Sequence, residues 1–226
     1  MAIVLYGSGE FTDSVNEIDK YLIDKFNLKK VAVIPTAAGM EQDWHKWIDM
    51  AVEHFDRLNV DVIKIEAINH QQASNPEIVK KIMEADWIFY SGGQPDYLFK
   101  QLDGSLLWKL TMDKYRSGAL LSGSSAGAMI MGNNIIDKPF RALIKGGETN
   151  WQKTFGIVDY TIFPHYNRMN RFKSVINKLI ANAPEGVRKS VLGIDEDTAL
   201  LIEDDEMKKL GGGNIELIRY GQVSKI

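Results

Sequence analysis

The chain has 226 residues, 45% apolar and 25% charged, with a formal net charge of −3. Its length fits one large domain or two small ones, and its composition excludes a disordered, collagen-like or low-complexity chain. The absence of cysteine excludes disulfides, cysteine–zinc sites, iron–sulfur clusters and any thiol nucleophile. Ala2–Tyr6 opens the chain as an apolar run that ends on Gly7-Ser8-Gly9. This turn lacks the third glycine of a dinucleotide fingerprint and reads as a loop at a site's edge. Val15, Ile18, Leu22 and Phe26 then share a helical face, with Ser14 and Glu17 at capping-box spacing. Val31–Pro35 and Val60–Ile65 read as strands on either side of a helix carrying Trp44, Trp47, Ile48, Ala51, Phe55 and Leu58. Asn75-Pro76 fits an N-cap followed by a first-turn proline, with Ile78, Val79 and Ile82 behind it. Trp87–Ser91 is a strand, and Leu106, Leu107 and Leu110 mark a helix ending near Gly118. Ala119–Ser122, Tyr160–Phe163 and Ser190–Ile194 are further strands, and Phe172, Val175, Ile176, Leu179 and Ile180 mark a late helix. The tail holds two strands, Thr198–Ile202 and Asn214–Tyr220, joined through Asp204-Asp205 and the glycines 211–213.

Most of these strands are apolar at consecutive positions. That pattern is required when both faces of a sheet are covered. Strands alternating with helices predict an α/β fold, a mostly parallel sheet with helices on both faces. The tail is expected at a partly antiparallel C-terminal edge. No linker-like segment divides residues 1–226, so a single domain is expected. The N-terminus lacks the basic flank and long apolar run of a signal peptide, and no apolar stretch approaches the roughly 20 residues that span a bilayer. Lysine and arginine are scattered rather than gathered into a stripe. A cytoplasmic protein without nucleic-acid or membrane partners is the expectation. His45, His54, His70 and His165 include no close metal-ligand pair.

The segment 119–131 carries chemistry. An apolar strand runs into Gly123-Ser-Ser-Ala-Gly127, and a helix-compatible run follows at once. This is the strand–turn–helix setting of a nucleophile elbow with G-x-S-x-G spacing. The turn is so tight that residues two before and two after the nucleophile must be very small, as Gly123 and Gly127 are. Ser125 would then stand at a helix N-terminus, where backbone N–H groups favour negative charge. The Ala126 amide is a natural oxyanion donor, and Gly93, in the glycine turn after Trp87–Ser91, suits a second.

A hydroxyl nucleophile needs a base. His165 follows a strand and Pro164, so it should emerge at the same sheet edge. His45 and His54 fit a surface helix and His70 a polar loop. Asn167 could cap a helix after His165. Arg168 and Arg171, three apart, suggest a carboxylate-binding corner. The acid that orients the imidazole stays open at this point: Asp195, Glu196 and Asp197 lie near a strand end, and Asp137, Glu148 and Asp159 are alternatives.

Four segments in this order resemble peptidase family S51, the serine peptidases that include dipeptidase E and cyanophycinase. They are Ser91-Gly-Gly-Gln94, Gly123-Ser-Ser-Ala-Gly-Ala128, Pro164-His165 with Arg168 and Arg171, and Gly193-Ile-Asp-Glu-Asp-Thr-Ala199. The resemblance implies a fold like that of class I glutamine amidotransferases and a Ser-His-Glu triad of Ser125, His165 and Glu196. It implies the Gly93 and Ala126 amides as the oxyanion hole, and Gln94, Asn167, Arg168 and Arg171 as substrate contacts. Pro95 and the insertion-like stretch 137–153 depart from the family pattern. Amide hydrolysis of small acidic, aspartyl-type peptides is the expected activity. It requires no metal or organic cofactor, and a homodimer is a compatible assembly. Two other readings use the same residues. One is an esterase of α/β-hydrolase layout, with its acid between Ser125 and His165. The other is a non-catalytic binding module for an acidic metabolite.

Overall fold

The computed structural model describes residues 1–136 and 150–226, with the backbone alone at 170–173. The main sheet holds β1 (Ala2–Tyr6), β2 (Lys30–Ile34), β3 (Asp61–Lys64), β4 (Trp87–Tyr90), β5 (Leu120–Ser124), β10 (Thr198–Glu203) and β11 (Glu206–Gly211). Their order is β11-β10-β1-β5-β4-β2-β3. From β1 to β3 every pairing is parallel, whereas β10 and β11 pair antiparallel. The expected fold class is thus the observed one.

Consecutive apolar residues of one strand enter opposite cores. In β1, Ile3 and Leu5 face one layer, while Ala2, Val4 and Tyr6 face the other. Helices α1 (Asn16–Phe26) and α2 (His45–Asp56) cover the second layer through Ile18, Leu22, Ala51 and Phe55. Helices α3 (Pro95–Leu102), α4 (Leu106–Arg116) and α5 (Ala126–Met131) cover the first through Leu98, Leu102, Leu107 and Ile130. The two edge strands of the main sheet are the exceptions to full burial: β3 has Asp61 and Lys64 in solvent, and β11 exposes Glu206, Lys208 and Lys209.

A second sheet, ordered β13-β12-β9-β8, joins β8 (Thr161–Phe163), β9 (Val191–Ile194), β12 (Ile215–Arg219) and β13 (Gln222–Lys225). Helix α6 (Lys173–Ala181) packs on it through Ile176 and Ile180. A small two-stranded sheet pairs β6 (Asn134–Ile136) antiparallel with β7 (Trp151–Lys153).

Two expectations change here. The tail strands do not share one edge: β10 pairs with β1, and β12 crosses to the second sheet to pair with β9. Asp204 and Asp205, at φ 47° and 69°, close a two-residue hairpin to β11, a strand not expected from the sequence. Ser14 and Glu17 also form no capping box. The N-cap of α1 is Val15, and the Ser14 hydroxyl instead donates to Asp197 Oδ1 at 2.6 Å. Asn75 does cap its helix, accepting from the Glu77 amide at 3.0 Å.

Candidate active site

β5 ends at Ser124 and α5 starts at Ala126, so Ser125 alone makes the turn. Its backbone lies at φ 49° and ψ −110°, which side-chain-bearing residues rarely adopt. A Cβ on Gly123 would lie 2.3 Å from the Gly127 carbonyl carbon, and one on Gly127 would lie 2.3 Å from the Tyr90 carbonyl oxygen. Both positions therefore need glycine, as the spacing predicts. The Ser125 amide donates to the Tyr6 carbonyl of β1 at 3.1 Å, which ties the turn to the neighbouring strand.

Ser125 Oγ lies 3.0 Å from His165 Nε2, and His165 Nδ1 lies 2.8 Å from Glu196 Oε1. His165 follows β8 at φ 52°, and its amide donates to the Gly7 carbonyl at 3.2 Å. Glu196 is held from two more directions. Its other carboxylate oxygen accepts from Arg168 Nε at 2.5 Å, and its amide donates to Asn167 Oδ1 at 3.1 Å. Burial alone would raise its pKa. The hydrogen bonds from His165 and Arg168, with the Arg168 charge, outweigh that and hold the carboxyl below its ordinary value.

The neighbouring acids are committed elsewhere. Asp195 is buried and accepts from the Asn214 amide at 2.8 Å. Asp197 takes the Ser14 hydroxyl. Asp159 accepts from Asn133 Nδ2 at 2.6 Å. Asp137 and Glu148 lie outside the described residues; Asp159, the remaining acid before His165 in the hydrolase-type order, does not bond His165.

Gly93 sits at φ 143° with the Ala37 carbonyl oxygen 2.4 Å from where a Cβ would be. The amides on either side of it are occupied: Gly92 donates to Glu10 Oε1 at 2.7 Å and Gln94 to the Ala37 carbonyl at 2.9 Å. The Gly93 N–H has no acceptor among the described residues. Ala126 is the first residue of α5, so its N–H has no intrahelical acceptor either. Ser125, His165 and Gly93 border a cavity of about 380 Å³, whose walls also include Glu10, Trp47 and Met50.

Not every sequence candidate joins this arrangement. Asn167 and Arg168, read as substrate contacts, are both engaged with Glu196. Gln94 is exposed just ahead of α3, and the Arg171 side chain lies outside the described residues. His45 stacks on Trp44, and His70 Nδ1 meets the Gln101 carbonyl. His54 overturns its surface assignment. It is fully buried, 2.7 Å from Asp19 Oδ2, because position 54 falls on the apolar stripe of Ala51 and Leu58. Glu10 went unread in the sequence; a lone acid in the glycine loop after the first strand was the available signal.

A hydroxyl held against an imidazole, itself held by a carboxylate, is equipped for acyl transfer. The comparisons decide the family: the sequence profile of peptidase family S51 matches residues 3–210. The chain belongs to peptidase family S51. It is accordingly a serine-type peptidase, a hydrolase. It is 27% identical over 194 residues to an uncharacterized peptidase of Listeria innocua, covering 83% of this chain and 88% of that one. It is 28% identical over 208 residues to a cyanophycinase of Synechococcus elongatus, covering 86% of this chain and 60% of that one. Among solved structures, a peptidase from an acI-B1 actinobacterium superposes with a TM-score of 0.85 at 28% identity, covering 100% of this chain and 93% of that one. Among the described residues no helix is long and apolar enough to cross a membrane.

Proposed function

We propose that this S51 peptidase hydrolyses small acidic peptides through Ser125, His165 and Glu196. The observation that carries the reading is the unbroken chain from Ser125 Oγ through both nitrogens of His165 to Glu196, at 3.0 and 2.8 Å. His165 Nε2 takes the Ser125 proton as Oγ attacks the amide carbonyl carbon. Glu196, kept ionised by its partners, stabilises the imidazolium that forms. The Gly93 and Ala126 amides receive the developing oxyanion, each contributing on the order of 3 kcal/mol. The C–N bond then breaks as His165 protonates the leaving amine, and water, activated by the same imidazole, releases the acyl group from Ser125.

Arg168 supports the acidic preference. It is 75% exposed beside Glu196 and places a cation at the rim of the site, where a substrate carboxylate can pair with it. Trp47 and Met50 give the cavity an apolar wall for the rest of the peptide.

Two measurements test the two parts. A fluorophosphonate should label Ser125 in the folded protein and leave Ser125→Ala unlabelled; failure to label the folded protein removes the serine nucleophile. A dipeptide panel should show faster hydrolysis after an acidic first residue than after a neutral one. Neutral preference with intact labelling removes only the acidic substrate.

A further inference from the structure

We infer that Glu10 is a positioning residue, the strut that locks the oxyanion loop to the nucleophile turn. The inference rests on the Ser125 reading above and adds the group that fixes its geometry.

Glu10 lies in the loop after β1. Gly9 lies at φ 87°, and a Cβ there would sit 2.4 Å from Asp197 Oδ1, so the chain can double back only at a glycine. Phe11 also has a positive φ, 61°, which a bulky residue adopts only when its surroundings enforce it. Burial enforces it here: the Phe11 ring is 4.9 Å from Phe89 and 5.8 Å from Phe55, centroid to centroid. With a glycine turn on one side and an anchored aromatic on the other, the Glu10 side chain is driven inward and is only 5% exposed.

A buried carboxylate requires hydrogen-bond donors. Glu10 takes them from two distant segments that must cooperate. Oε1 accepts from the Gly92 amide at 2.7 Å, 82 residues away, and Oε2 accepts from the Ser124 hydroxyl at 2.5 Å, 114 residues away. Gly92 belongs to the loop that presents the Gly93 amide, and Ser124 directly precedes the nucleophile. The fit leaves no slack, since a Cβ on Gly92 would lie 2.7 Å from Oε1 and 3.3 Å from Ser125 Cβ. Glu10 fixes the Gly92 amide, and the next amide along, that of Gly93, borders the cavity and has no acceptor among the described residues. Among the described residues Glu10 has no hydrogen bond to Ser125 or His165, so its action passes through Gly92 and Ser124. Its neighbour Gly7 accepts the His165 amide, so a single loop holds the base, the oxyanion donor and the nucleophile turn in register.

A displacement of about 1 Å at a reacting centre costs on the order of 100-fold in rate. Glu10→Ala should therefore lower kcat about 100-fold while KM stays within twofold. Glu10→Gln keeps an acceptor for Gly92 and a polar group for Ser124, and should restore kcat to within about threefold of wild type. Ser124→Ala removes one strut without unpairing the Gly92 amide and should lower kcat about tenfold, with unchanged KM. An active Glu10→Ala, or a Glu10→Gln as impaired as Glu10→Ala, overturns the inference. If Glu10→Ala does not fold, Ser124→Ala decides: wild-type kcat in that variant overturns the strut. Ser125→Ala runs alongside. If it stays active, the nucleophile reading fails; if it is dead while Glu10→Ala is fully active, only the positioning role fails.

Discussion

Among the described residues a hydroxyl, an imidazole and a carboxylate come together both at Ser125 and at Tyr6, and the two sets are ordered differently. At the carboxyl ends of β5 and β8 the imidazole is central: Ser125 and Glu196 flank His165, which is 38% exposed beside the cavity. In the core the carboxylate is central: the Tyr6 hydroxyl donates to Asp19 Oδ1 at 2.5 Å and His54 Nε2 lies 2.7 Å from Oδ2. Tyr6 and His54 are fully buried, Asp19 nearly so, and His54 Nδ1 has no partner among the described residues. A proton can shuttle between a hydroxyl and a substrate only through a group that both gives and takes it, which the first order supplies. The second order places two donors on one carboxylate and closes it from solvent. The two acids answer accordingly. Burial raises Asp19 above its ordinary value despite its bonds to His54 and Tyr6, whereas in Glu196 the bonds to His165 and Arg168 win over burial.

The sharpest way to separate the two is to remove each hydroxyl or acid and read rate against stability. Ser125→Ala should lower kcat on the order of 10⁶-fold, and Glu196→Gln on the order of 10⁴-fold, the scale of nucleophile and acid losses in triad enzymes. Steady-state kinetics on an acidic dipeptide reads both, and denaturant unfolding should place Ser125→Ala near wild type. Glu196→Gln at wild-type kcat would return the orienting role to another group.

Asp19→Ala should invert that pattern. Breaking a buried, hydrogen-bonded pair by removing one partner costs about 3 kcal/mol, because His54 and Tyr6 are left unpaired inside the core. The urea midpoint should fall by a corresponding amount, while kcat per folded molecule, counted by fluorophosphonate labelling, stays within twofold. A large loss of kcat with normal stability would tie the core network to the reaction.

The sequence exposed these two regions unequally. The nucleophile turn was legible because its constraint is local: Gly123 and Gly127 collide with anything larger, and both lie within two residues of Ser125. His165 was legible from its place after a strand. The choice among Asp195, Glu196 and Asp197 was not, because it depends on Asn214, Asn167 and Ser14, which arrive from remote parts of the chain. The parallel sheet followed from consecutive apolar runs covered on both faces. The separation of β10 from β12 did not, since strand period says nothing about which sheet a strand joins. The core network hid behind residue type. Asp19 sits four residues from Val15 and three from Leu22, and His54 three from Ala51 and four from Leu58, so helical spacing already put both on apolar stripes.

The finest test uses pH, because the two acids pull stability in opposite directions. Glu196 has a folded pKa below its ordinary 4.5, so the folded state binds the proton less tightly than the unfolded chain. Its stabilising contribution is complete above pH 4.5 and disappears as pH falls through the depressed folded value. Asp19 has a folded pKa above its ordinary 3.8, so its contribution is fully present below pH 3.8 and is lost as pH rises through the raised value. Urea midpoints of wild type, Glu196→Gln and Asp19→Asn, measured from pH 3 to pH 6, should therefore diverge in sign. The wild-type advantage over Glu196→Gln should grow with pH across the low end of that range. The wild-type advantage over Asp19→Asn should shrink with pH from about 3.8 upward. Parallel slopes for the two variants would mean that the two carboxylates share one environment, and the contrast between an open imidazole-centred relay and a sealed carboxylate-centred one would lose its electrostatic half.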